Sequence, residues 1–184
     1  MLEGVGRRYA ETGSLVSIGA RSLNGNERNV LFRNNGDGTF TDVAWVNAAD
    51  RVEDGRGLSV FDYDRDGQLD ILIRNFHQPA QLLQNRGGTG HWLQLRLVGV
   101  RSNRDAVGAR LRVRTATGLQ SRAVTAGSAY LSGSSLVQHF GVGAATKVGT
   151  VEIDWPSGGR TELHDLAADR RYTVVEGVEV AFGR

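Results

Sequence analysis

Apolar and polar residues alternate with a period of two along much of this chain, and that period admits strands while excluding amphipathic helices. Leu93, Leu95 and Leu97 alternate with Gln94, Arg96 and Val98, and Leu111 and Val113 with Arg110, Arg112 and Arg114. Further strand-like segments are Val30–Arg33, Leu58–Tyr63, Asp70–Arg74, Ser121–Ala126, Leu136–Phe140, Thr150–Trp155 and Arg171–Val175. With 25 glycines and only 2 prolines, the turns between them are built from Gly, Asn and Asp. Only Leu163–Arg171 reads as a segment able to hold a helical turn or two. The chain is predicted to be all-β.

An internal repeat divides it. Leu31-Phe32-Arg33-Asn34-Asn35-Gly36 matches Leu82-Leu83-Gln84-Asn85-Arg86-Gly87, and Leu15–Ile18 is echoed by Ile71–Arg74. A repeat of about 50 residues suggests β-propeller blades of four strands each. About one and a half blades fit before Gly88, fewer than the ~4 a ring needs. From His91 the repeat gives way to strands every ~10 residues, the spacing of a β-sandwich. The expected organisation is therefore a partial propeller-like region over residues 1–88, followed by an antiparallel β-sandwich of jelly-roll or immunoglobulin-like kind over 91–184. An open blade exposes strand edges, so self-association through those edges is expected unless something covers them.

One segment carries recognisable chemistry. In Phe61-Asp62-Tyr63-Asp64-Arg65-Asp66-Gly67-Gln68-Leu69-Asp70, carboxylates stand at the first, third, fifth and ninth positions counted from Asp62. Three of them converge on one point if the chain reverses at Gly67. The backbone carbonyl of Gln68 and the carboxylate of Asp70 complete an oxygen cage. Such a hard, flexible donor set suits Ca²⁺, which takes 6–8 oxygens, better than octahedral Mg²⁺. An EF-hand is excluded because its closing glutamate is replaced by Ile73 and both flanks are strand-like. The expected metal ligands are Asp62, Asp64, Asp66, Gln68 and Asp70, and the expected role of the ion is structural. The alternative is an acidic turn without an ion, in which four aspartates within nine residues repel one another.

Composition narrows the remaining possibilities. The 184 residues contain no cysteine, which removes disulfides, thiolate nucleophiles and thiolate metal sites. No apolar run reaches the ~20 residues of a membrane-spanning helix, and Met1–Gly13 has no apolar core of a signal peptide. Residues 1–88 hold 10 arginines against 12 acidic residues, and 89–184 hold 12 basic against 8 acidic, so the halves carry −2 and +4. That asymmetry suggests two units with different surfaces.

Two resemblances gather these features. Leu31–Val43, followed by Gly55-Arg56-Gly57 and the aspartate loop, resembles the FG-GAP/VCBS repeats of integrin-α-type propellers. That resemblance implies calcium at Asp62, Asp64, Asp66, the Gln68 carbonyl and Asp70. The other turn, Asn34–Thr39, lacks the carboxylates for an ion and reads as a hairpin built on Asp-Gly. His91-Trp92-Leu93, Ser102–Asp105, Gly108-Ala109-Arg110, Tyr130-Leu131-Ser132, His139–Gly143 and Trp155–Gly158 are similar to the ASPIC/UnbV domain. Together these imply the C-terminal part, or a short relative, of secreted proteins of the cartilage-acidic-protein type. They imply an extracellular or periplasmic setting, while the lack of a signal sequence leaves a cytoplasmic one open. Bacterial relatives accompany natural-product genes, including enediyne pathways.

Other constellations offer weaker signals. Arg110, Arg112 and Arg114 project from one face of a strand as a ridge for anionic glycan, lipid or phosphate, or simply as the solvated side of a half-buried strand. Nucleic-acid recognition has no motif behind it. Ser128, Ser132, Ser134 and Ser135 with His139 and Asp154 invite a triad, but no nucleophile elbow is present. The four histidines lack zinc-enzyme spacing. Trp92, Trp155 and Tyr130 read as core aromatics. The leading expectation is a calcium-stabilised, non-enzymatic interaction or adhesion module with a protein or glycan partner. The alternatives are an enzyme or small-molecule-binding accessory protein of a biosynthetic pathway, and polyanion binding through the arginine ridge.

Overall fold

A computed structural model of the chain describes residues 27–115, 118–178 and 181–183; the Leu15–Ile18 echo lies outside them. Two compact units are present: the described residues up to Gly55 with Asn75–Pro79, and Arg56–Arg74 with the chain from Ala80 onward. The second unit thus holds, together with residues 91 onward, the part of the repeat region formed by Arg56–Arg74 and the residues from Ala80. No helix occurs among the described residues.

In the first unit β1 (Phe32–Asn34) and β2 (Phe40–Asp42) form the expected antiparallel hairpin. Its turn closes on its own side chains: the Asn34 Oδ1 accepts from the Gly36 amide at 2.8 Å, and the Asp37 Oδ1 from the Thr39 amide at 2.9 Å. The repeat is legible in this detail, because Asn85 Oδ1 accepts from the Gly87 amide in the same way, 51 residues on.

The second unit contains, apart from the end residues Gly55 and Asn75, β3 (Gly55–Phe61), β4 (Asp70–Asn75) and β5 (Gln81–Leu83), a sheet in the order β3-β4-β5. It also contains two four-stranded sheets. One is β11 (Arg160–Ala167), β10 (Lys147–Asp154), β7 (Arg110–Thr115) and β8 (Gly118–Ala123); the other is β13 (Ala181–Gly183), β12 (Arg170–Val175), β6 (His91–Val98) and β9 (Gln138–Gly143), each in that order. Alternate residues of both sheets meet in one core: Leu93, Leu95, Leu97, Tyr172 and Val174 from one, Leu111, Val113, Val151 and Ile153 from the other. The expected sandwich is therefore present, with one departure from antiparallel pairing. The β6 and β12 strands run parallel, Leu93 opposite Arg170 and Val98 opposite Val175.

Leu163–Arg171 is not helical. Thr161 and Leu163 are buried between exposed neighbours, the two-residue period of β11, and Asp165 and Asp169 adopt positive φ angles of 53° and 56° that break any helical run. Tyr130, expected in the core, is 70% exposed at a loop tip.

Two devices of side chain against backbone shape this unit. Glu176, only 4% exposed, accepts from the amides of Val100, Arg101 and Ser102, all at 2.7 Å, and from the hydroxyls of Ser102 and Ser157. One carboxylate thus ties the β6–β7 loop and the Trp155–Gly159 turn to the end of β12. The second device covers the free edge of β3. Ser132 Oγ accepts from the Leu58 amide at 3.0 Å, Ser134 Oγ from the Val60 amide at 3.1 Å, and Ser59 Oγ donates to the Gly133 carbonyl at 2.7 Å. Serine hydroxyls take the place of a neighbouring strand's carbonyls.

Burial by itself would raise the pKa of Glu176, but the Ser102 amide, the Ser157 hydroxyl and the Val100 amide outweigh it and hold the group at about 2, against the ordinary 4.5. A depressed carboxylate stabilises the fold fully above 4.5, and that contribution is lost as pH falls toward 2. Wild type should therefore lose stability over this window relative to Glu176→Gln, which is less stable at neutral pH; urea midpoints that shift in parallel with pH for both proteins would contradict this. Removing both hydroxyls of the strap, Ser132→Ala with Ser134→Ala, unpairs two edge amides and should cost about 1–3 kcal/mol. It should also produce concentration-dependent association in sedimentation velocity, where the parent chain at the same concentrations shows less.

Candidate metal centre

The acidic loop follows directly from strand geometry: Asp62 is the first residue after β3 and Asp70 the first of β4. Asp62, Asp64 and Asp70 bring carboxylate oxygens within 4.8 Å of one another. Asp70 is fully buried, its Oδ2 accepting from the Tyr63 amide and its Oδ1 from the Asn85 amide, each at 2.8 Å. Asp64 accepts from the Asp66 amide at 3.3 Å on Oδ1 and from Gln84 Nε2 at 2.6 Å on Oδ2. Asp62 Oδ2 accepts from the Gly67 amide at 3.1 Å and from Gln94 Nε2 at 2.7 Å. Asp66 stands outside the trio, exposed, with its Oδ1 on the Gln68 amide at 2.7 Å.

The donor set fits a hard divalent cation. Asp62 Oδ1 is buried and has no hydrogen-bond partner, a costly state for a charged oxygen that an ion would relieve. Asp64 Oδ1 and the two Asp70 oxygens, each holding one backbone amide, still have a lone pair. Every converging ligand atom is an oxygen, the preference of calcium rather than of zinc or copper.

Gly67 locks the loop in place. Its φ of +87° is one that side-chain-bearing residues rarely adopt, and a Cβ there would lie 1.8 Å from Trp92 Nε1. Its carbonyl accepts from His139 Nε2 at 2.8 Å, and the Trp92 and His139 rings lie near-parallel, 16° apart, with centroids at 6.4 Å. The loop therefore rests on the outward-facing side chains of β6 and β9. Gln94, on the same outer face and only 4% exposed, completes the seat through its bond to Asp62. Trp92, expected in the core, is thus part of the loop's seat, as are Gln94 and His139, which the ligand spacing does not mark. The available signal was a glutamine at a strand position whose neighbours Leu93 and Leu95 face the core.

The other candidate residues are occupied elsewhere. Ser132 and Ser134 serve β3, His139 serves Gly67, and Asp154 pairs with Arg112 at 2.8 Å, so the serine, histidine and aspartate do not converge. The arginine ridge lies on β7 beside carboxylates of β10, in the register Arg112 to Glu152 and Arg110 to Asp154. Arg112 Nε meets Glu152 Oε2 at 2.9 Å, and Arg160 joins the same oxygen at 2.9 Å. Glu152, then Asp154, raises the Arg112 pKa, and Arg112 holds that of Glu152 below the usual carboxylate range. The strip expected from alternation is thus interleaved with acid, Arg114 standing opposite Thr150.

Gly67→Ala should unseat the loop. We expect a melting temperature at least several degrees lower and an altered Trp92 fluorescence, since both the backbone angle and the indole contact are lost; an unchanged melting curve would show that the loop does not bear on the sandwich.

The ASPIC and UnbV family matches residues 99–181 and the FG-GAP-like repeat family residues 15–73. The acidic loop falls inside the second match, whereas Trp92 and Gln94 lie between the two. Cartilage acidic protein 1 of Mus musculus is 31% identical over 155 residues, 80% of this chain and 23% of that protein. The protein of the same name from Xenopus tropicalis is 37% identical over 89 residues, 46% of this chain and 14% of the relative. That from Homo sapiens is 38% identical over 81 residues, 42% and 12% respectively. The matches thus span less than a quarter of the length of these relatives. Residues 15–73 are thus similar to the FG-GAP-like repeat and residues 99–181 to the ASPIC and UnbV domain, and the chain is similar in sequence to part of cartilage acidic protein 1.

Proposed function

We propose that the chain is a calcium-stabilised, non-enzymatic interaction module. The observation that carries this reading is the buried, partnerless Oδ1 of Asp62, within a trio whose oxygens lie no more than 4.8 Å apart. Asp62, Asp64 and Asp70 would hold the ion, with Asp66 and the Gln68 carbonyl as further oxygens. When bound, calcium supplies charge balance and a fixed loop. The chain's own residues do the rest: Gln94 orients Asp62, the amides of Tyr63 and Asn85 orient Asp70, and Gly67 seats the loop on Trp92. With the serines, His139 and Asp154 engaged in separate structural contacts, the surfaces of the sandwich are read as binding surfaces for a protein or glycan. An extracellular or periplasmic setting accords with a calcium module and with the relatives' family.

An ion that binds only the folded state stabilises it in proportion to RT ln(1 + [L]/Kd), about 2.7 kcal/mol at a hundredfold excess over Kd. For a chain of this size that is a rise in melting temperature of roughly 5–10 °C. Calcium should produce this rise, a chelator should reverse it, and Asp64→Ala should abolish it. Coincident melting curves in excess calcium and in chelator would sink the calcium reading.

A further inference from the structure

We propose that the loop tip formed by Tyr130 and Leu131 anchors a symmetric dimer: it enters an apolar cavity of a second copy of this chain, whose own tip fills the equivalent cavity in return. The contact needs no calcium. It adds a second copy of the chain as a partner of the interaction module proposed above.

Leu131 is 87% exposed, more than any other large hydrophobic residue among those described, and Tyr130 beside it is 70% exposed. The tip is held in this position at a conformational cost. The φ of Leu131 is +47°, in the left-handed region that branched side chains rarely adopt. A turn needing only that angle is best made with glycine or asparagine, so an exposed leucine there points to a contact. The stem below is closed by an antiparallel bridge between Ala129 and Ser132, and the Ser132 hydroxyl donates to the Tyr130 carbonyl at 3.1 Å. Ser128 Oγ donates to Ser134 Oγ at 3.2 Å and accepts from the Ser134 amide at 3.1 Å. The strap to β3 fastens the same stem. A tip already fixed in shape loses little freedom on docking.

The receiving surface adjoins the tip. Leu58, whose amide is held by Ser132, is 42% exposed, and Val60 follows two residues on, along the same face of β3. Val60, Phe61, Leu69, Leu72 and Val137 are the apolar walls of a cavity of about 520 Å³, which Gly133 and Ser134 of the strap also line. That volume has room for a pair of large side chains. Ser135, in the same lining, accepts from the Val137 amide at 3.2 Å and keeps its own proton for the hydroxyl of an entering tyrosine.

The occupant follows from this adjacency. Projection and cavity lie on one surface, Leu131 and Val137 being six residues apart, and a tip exposed to this degree does not fill its own cavity. A two-fold axis brings each tip to the cavity of the other copy, the self-complementarity that an isologous interface requires. Tyrosine is among the side chains that most often anchor interfaces. Two tips and two cavities make a small interface, for which a dissociation constant of about 1–100 µM is expected. The strap that closes the β3 edge to backbone pairing thus presents side chains for association instead.

The test is sedimentation velocity of the whole chain from about 1 to 200 µM, a span that brackets the expected constant. A monomer–dimer equilibrium is expected. Leu131→Gly and Tyr130→Ser should each weaken it about tenfold or more, with melting curves of dilute protein close to the parent's, because both side chains stand in solvent and glycine takes the Leu131 angle freely. Val137→Trp, which fills the cavity from within, should weaken it as well. Mixing the Leu131→Gly and Val137→Trp chains should give more dimer than either alone, since one intact tip then meets one intact cavity. Trp45→Ser, at an exposed position in the first unit, should dimerise as the parent does. A parent that stays monomeric throughout overturns the proposal and leaves the tip to a different protein. A dimer left intact by the tip variants or by filling the cavity, or one dissociated by Trp45→Ser, overturns it too.

Discussion

The contact of the Gly67 peptide with the Trp92 indole is the constraint on which the second unit's architecture turns. It requires a residue without a side chain, at a backbone angle that glycine adopts at no steric cost, on the outer face of a sandwich strand. Once it is made, the neighbouring bonds fall into place: the Gly67 carbonyl on His139, the Gly67 amide on Asp62, and Asp62 on Gln94. The acidic loop is thereby a joint between a blade-like sheet and the sandwich, and an ion that fixes the loop bears on both. The sandwich supplies the surface on which the loop rests.

The same economy recurs elsewhere in the unit. Irregular segments are fixed less by apolar burial than by a side chain that mimics backbone or gathers it. Glu176 collects three successive amides into one buried carboxylate, and Ser132 and Ser134 present hydroxyls where a strand would present carbonyls. Such bonds suit loops that must be placed accurately but have too little apolar surface to be held by packing. They also explain why the serine-rich stretch looks like catalytic chemistry when read as sequence: closely spaced hydroxyl-bearing side chains are what an edge cover of this design requires.

Legibility followed the range of the interactions involved. The alternating strands β6, β7 and β10, the Asn-Gly and Asp-Gly hairpin at Asn34–Thr39 and the Asp62–Asp70 loop were readable because each is set by neighbours a few residues apart. Where two local signals competed, the reading failed. Leu163–Arg171 carries helix-forming residues, but Thr161 and Leu163 are drawn into the core on a strand's period. Tyr130 looked like a core residue by type and is exposed, because its loop is held by serine hydroxyls rather than by its aromatic ring. The arginines of β7 were placed correctly on the outer face, yet their companions Glu152 and Asp154 are about 40 residues away and come alongside only through strand order.

By itself the sequence determined an all-β chain, a repeat followed by a sandwich, and an oxygen-rich loop suited to calcium, since periodicity, turn chemistry and ligand spacing are properties of contiguous residues. Only the tertiary structure decided that Trp92, Gln94 and His139 seat that loop, that serines cover the edge of β3, and that the strap carrying Tyr130 and Leu131 also walls an apolar cavity. These groupings unite residues up to 74 positions apart. Their adjacency arises from strand order, above all from the placement of β9 beside β6, which no local pattern encodes.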